Sequence, residues 1–164
     1  MTTLQPLEGL PFVSVDEQDR IRIQFAEIDE PMAQLEITDG RRLKSGDTAP
    51  TFAATLRKEN GNRFEIPDEA TILFGARIKD FDEEEHDSEF ITGGAEAPFE
   101  NYSQGSVVDA ARGNIEFDWR DATTTEQAGT YDAEVRVVWD DNGTELVKTF
   151  PSRDFSEVTI REGL

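Results

Sequence analysis

The chain has 164 residues and a formal net charge of -20, from 36 Asp plus Glu against 16 Lys plus Arg. No basic run is longer than Arg41-Arg42, so neither duplex nucleic acid nor an anionic membrane is an expected partner. With no cysteine there is no disulfide framework, no thiolate nucleophile and no cysteine-based zinc site.

The length fits one ordinary domain with a modest extension. Hydrophobic residues make up 36% of the chain and include 11 Phe and 2 Trp, enough for a core without metals or crosslinks. The acids are scattered through nearly every segment. In dilute buffer that much like charge repels itself, whereas molar salt shortens the screening length to roughly 3 Å. Lys44, Lys58, Lys79 and Lys148 are the only lysines, and the other basic residues are arginines. Guanidinium is weakly hydrated and pairs bidentately with carboxylates, while a long lysine stem exposes methylenes. Together these features point to a salt-rich cytoplasm of the haloarchaeal kind, ahead of the plainer reading of an acidic bacterial protein. The start, Met1-Thr2-Thr3-Leu4-Gln5-Pro6, lacks a basic and then apolar leader, and no apolar stretch approaches ~20 residues. A soluble protein without an export signal is expected.

Residues 1–45 are expected to form an amino-terminal arm or hairpin. Pro6, Gly9 and Pro11 break the first stretch, then Arg20 to Ile28 alternates polar and apolar residues as a half-buried strand does. A second short strand is expected at Gln34 to Ile37. Asp39-Gly40 signals a turn, and Ser45-Gly46-Asp47-Thr48 with Pro50 a longer one, which places the main boundary there. Leu4, Leu7, Leu10, Phe12 and Val13 cannot form a core of their own. They are candidate contacts to a neighbouring subunit, the alternative being packing on the chain's own domain.

Residues 46–164 read as short strands with turns between them, the pattern of a sandwich. Thr51 to Arg57 is the first strand, and Ala70 to Lys79 the next, with Ile72, Phe74, Ala76 and Ile78 on one face. Phe81 to Tyr102 reads as loop, with one strand around Glu89-Phe90-Ile91. Ser106 to Ala110 and Asn114 to Trp119 flank Arg112-Gly113 as a hairpin. Tyr131 to Trp139 alternates most clearly, Asp140-Asp141-Asn142-Gly143 turns, Glu145 to Phe150 returns, and Val158-Thr159-Ile160 is expected as a last edge strand. No dozen residues carry a helical period. The fold class expected is all-β, an antiparallel immunoglobulin-like β-sandwich.

The carboxy-terminal two thirds resembles the immunoglobulin-like domain at the amino terminus of upper baseplate proteins of tailed phages, the BppU-type domain. The resemblance is carried in order by Lys44-Ser45-Gly46-Asp47-Thr48, Arg112-Gly113-Asn114-Ile115-Glu116-Phe117, Ala128-Gly129-Thr130-Tyr131-Asp132-Ala133-Glu134, Thr149-Phe150-Pro151-Ser152 and Val158-Thr159-Ile160. It implies a virion structural part, made in the host cytoplasm and docked to other virion proteins, at the baseplate, tail or capsid surface. This chain departs by its extra leading stretch and by ending soon after the last strand, where that family carries receptor-binding modules. A homo-oligomer in a larger assembly is expected. The rival is a cellular carbohydrate- or adhesin-like binding domain of a halophile, since sandwiches host many functions.

Catalytic residues and cofactors are not expected. His86 is the sole histidine, so neither a serine triad nor a histidine-rich zinc site fits within one chain. Gly93-Gly94 has no following Lys-Ser/Thr to make a phosphate cradle. The acidic run Asp80 to Asp87 invites a structural cation, with Asp80, Asp82 and Glu84 as candidate ligands. It lacks the sharp-turn glycine of a calcium loop, and a solvated acidic loop is the plainer reading. Trp119 and Trp139 are expected in the core, not on a ligand platform.

Overall fold

The structure is a computed structural model that describes residues 31–93 and 99–163. Its strands are β1 (Gln34–Asp39), β2 (Arg42–Lys44), β3 (Phe52–Arg57), β4 (Thr71–Ile78), β5 (Ser103–Gln104), β6 (Ser106–Asp109), β7 (Asn114–Phe117), β8 (Gly129–Asp141), β9 (Thr144–Phe150) and β10 (Ser156–Arg161). The period of two expected of a half-buried strand is clearest in β8 and β10. On β4, Ile72, Phe74, Ala76 and Ile78 are buried together; on β8, Tyr131, Ala133, Val135 and Val137 are.

The strands form two packed sheets, one ordered β1-β3-β7-β6 and one ordered β2-β10-β8-β4-β5, with β9 also paired to β8. If β1/β2, β3, β4, β6, β7, β8 and β9/β10 are lettered A to G, the sheets are the ABED and GFC sets of an immunoglobulin-like sandwich. Tyr131 agrees with that lettering. It stands at the start of strand F, and its hydroxyl donates to the Gln127 carbonyl at 2.7 Å, the tyrosine corner of such sandwiches. One pairing departs from the antiparallel expectation: β2 runs parallel to β10.

A cluster of aromatic rings joins the two sheets. Phe52 of β3 lies 4.5 Å from Phe74 of β4, and Phe74 lies 4.7 Å from Phe117 of β7, so these contacts cross from sheet to sheet. Trp119 meets all three edge-on at 5.5 to 6.2 Å. Burying each such side chain contributes about 1.5–3 kcal/mol. A second cluster gathers Phe64, Phe150 and Trp139.

Three expectations are corrected. The compact unit begins at Met32, not at residue 46. Leu35 and Leu43 belong to the core, and between them Gly40 (φ 77°) passes so close to β3 that a β-carbon would stand 2.7 Å from the Phe52 Cα. That approach lets β1 pair with β3 in one sheet and β2 with β10 in the other. For the same reason β10 is not an edge strand; it lies between β8 and β2. Finally, β7 stops at Phe117, because the Asp118 carboxylate accepts the Arg120 amide at 2.9 Å and caps a 3-10 turn over Trp119–Asp121. Trp119 remains buried. The strand expected at Arg20 to Ile28 lies outside the described residues.

Candidate functional site

On the outward face of the larger sheet, aromatic and charged side chains converge on a hollow. Because Phe74, Ala76, Ala133 and Val135 point inward, Gly75 and Arg77 of β4 and Asp132, Glu134 and Arg136 of β8 point outward. The register sets Gly75 opposite Glu134 and Arg77 opposite Asp132. Gly75 has no side chain, so the floor is low. Tyr102, just before β5, rises on one side; Phe90 bridges beside Arg77. Phe155 closes the groove from residues 151–155, which loop out opposite Glu134 because Phe150 pairs with Val135 and Ser156 with Ala133. The groove encloses about 370 Å³ and is also lined by Asn101.

Most of its charges engage one another. The Tyr102 hydroxyl donates to Oε2 of Glu134, and Nε of Arg136 lies 3.2 Å from the same oxygen. The Arg136 guanidinium also covers the Tyr102 ring at 4.8 Å. Burial, then the hydrogen bond to Glu134 and that carboxylate's charge, push the Tyr102 phenol up to about 12. Lys79 joins Asp132 at 3.5 Å and Glu157 at 2.7 Å. Arg77 sits 5.3 Å from the Phe155 ring centre. A second hollow shares Arg77 and Asp132 and continues past Lys79 to Phe81 and Glu89. The groove thus offers ring faces with charged groups of both signs, a chemistry suited to holding a polar ligand.

Two strand edges also expose apolar side chains. On β6, at the edge of the four-stranded sheet, Val108 is 57% exposed and Val107 lies beside it. On β9, which pairs only with β8 among the described residues, Val147 is 52% exposed next to Leu146. Unpaired edges with apolar side chains are templates for association.

The residues singled out from the sequence fall elsewhere. Asp80, Asp82 and Glu84 share a turn but are not gathered around a point: Asp82 Oδ1 accepts the Glu84 amide at 2.9 Å, and the Asp82 amide donates to Nδ1 of His86 at 3.0 Å. Among the described residues no three His, Asp or Glu side chains are placed to hold a metal ion. The His86 ring stacks on Phe81. Trp119 is buried and Trp139 packs against the core, as expected. Leu4, Leu7, Leu10, Phe12 and Val13 lie outside the described residues, as does Gly94. The groove itself was not foreseen. Its one local signal is Gly75 inside the largely apolar strand Thr71–Ile78, since a glycine within a strand marks a close approach.

The chain matches no family model, no curated protein and no solved structure.

Proposed function

We propose that the chain is a non-enzymatic docking and oligomerisation module, a structural component of the virion of a tailed virus that infects a halophile. The observation that carries the docking part is that β6 and β9, strand edges unpaired among the described residues, expose Val107, Val108, Leu146 and Val147 in a chain rich in carboxylates. Supporting the virion part, the segments that resemble the BppU-type domain fall on structural landmarks. Arg112 to Phe117 holds the β6–β7 turn and β7, Ala128 to Glu134 the tyrosine corner, and Val158 to Ile160 part of β10. Self-association and contacts with other virion proteins would use these edges. Fractionation of a producing culture tests the reading: the chain should band with intact particles and their capsid protein. Recovery with the cell envelope instead would overturn it.

The aromatic groove favours a second reading, a carbohydrate- or adhesin-like binding domain of a halophilic cell, because ring faces beside paired charges suit a polyhydroxylated ligand.

A further inference from the structure

We propose that the groove over Gly75 binds an acidic saccharide, with the Arg77 guanidinium receiving its carboxylate. The inference does not depend on the virion reading, since a particle protein and a cell-bound module would use the groove alike.

Arg77 is the starting point. Among the described residues it is the one half-buried basic side chain that makes neither a hydrogen bond nor an ion pair. Arg57 has Glu36, Lys148 has Glu59, and even the exposed Arg120 and Arg136 have Asp118 and Glu134. Arg77 has only the face of Phe155. Arg42, Arg63 and Arg161 also lack a carboxylate partner among the described residues, but they stand exposed to solvent, whereas Arg77 is half-buried in the groove. Its planar fork is shaped for two parallel hydrogen bonds to one carboxylate. Its neighbour across the strand pair, Asp132, is turned to Lys79 at 3.5 Å.

The rest of the groove selects what carries that carboxylate. Its volume, about 370 Å³, falls within the ~300–1,000 Å³ of small-molecule sites. Phe155 is 44% exposed and, with Phe90, presents apolar ring surface to the C–H face of a pyranose. Asp132 can accept from sugar hydroxyls, and the Asn101 amide can donate and accept. Glu134 is already occupied by Tyr102 and Arg136, which hold the wall in place. The groove crosses the face of β4 and β8, whose backbone groups are taken up in pairing along this stretch. A peptide strand would find no ladder to extend there, whereas a ligand read through side chains would. In molar salt, screening over roughly 3 Å removes steering but leaves a contact pair, so direct carboxylate geometry is the form of recognition that survives.

The test titrates the full chain in molar salt with methyl glucuronide, methyl glucoside and sodium acetate, by calorimetry and by amide chemical shifts around Gly75 and Tyr102. The glucuronide should bind about tenfold more tightly than the glucoside, the factor expected for one charge-assisted pair. Acetate should bind far more weakly than the glucuronide. Arg77→Gln should reduce the glucuronide to the level of the glucoside, and Phe155→Ala, on an exposed side chain, should weaken both sugars. Equal affinity for the two sugars, acetate as effective as the glucuronide, or unchanged glucuronide binding by Arg77→Gln would each overturn the proposal. If Arg77→Gln does not fold, Phe155→Ala decides: unchanged affinity for the sugars overturns it.

Discussion

The Tyr102 ring occupies the space that a β-carbon on Gly75 would need: such an atom would stand 2.7 Å from Cε2 and 2.9 Å from Cδ2. The ring is tethered by its hydroxyl to Glu134 and covered by Arg136, so the missing side chain and the aromatic wall are two halves of one feature. Gly75→Ala, in a regular strand, should keep the fold and push the ring outward. The Tyr102 phenol should then ionise closer to pH 10, and sugar binding should weaken. Tyrosinate absorbance against pH reads the first effect.

The chain has 2 tyrosines, and both are harder to ionise than a free phenol. Burial raises Tyr102 to about 12, and burial raises Tyr131, opposed by its hydrogen bond to Gln127. A phenol whose folded value lies above its unfolded one favours folding fully below pH ~10. That contribution is lost as pH rises through the folded value. Tyrosinate absorbance should therefore stay low past pH ~10 and rise together with loss of the β-sheet circular dichroism.

Gln127 ties the acidic loop to the tyrosine corner. Its Oε1 accepts the Asp87 and Ser88 amides at 2.8 and 3.1 Å, and its Nε2 donates to the Ser88 carbonyl and the Tyr131 hydroxyl. Tyr131→Phe removes the corner bond and should cost about 1–2 kcal/mol in chemical denaturation. Gln127→Ala should chiefly speed amide exchange at Asp87 and Ser88, leaving β8 protected.

Phe74 touches Phe52, Phe117 and Trp119 and is fully buried at the centre of the sandwich. Phe74→Ala should cost about 3–5 kcal/mol, because no neighbouring side chain can fill the space without breaking the sheet-to-sheet ring contacts. Urea denaturation of the two proteins in the same salt measures the difference.

What the sequence made legible is what local pattern controls. The alternation in Thr71–Ile78 and Gly129–Asp141 reveals both strands and their buried faces, and Asn142-Gly143 reveals the turn, where both residues take positive φ, 54° and 86°. What it hid depends on partners far along the chain. Leu43 is buried because β2 reaches β10, more than a hundred residues later, and nothing near Arg42 announces that pairing. Trp119 keeps the apolar place that its alternation suggests, yet the Asp118 cap ends the strand before it. The groove draws Gly75, Phe90, Tyr102, Glu134 and Phe155 from separate segments, each unremarkable alone.

The central claim, a salt-adapted module that assembles through its strand edges, is tested most directly by sedimentation of the purified chain in molar salt and in dilute buffer, with circular dichroism alongside. A net charge of -20 should make the compact state depend on screening. The account predicts a β spectrum and a discrete oligomer in molar salt, both lost on dilution of the salt. A stable monomer with the same spectrum in both buffers would contradict it.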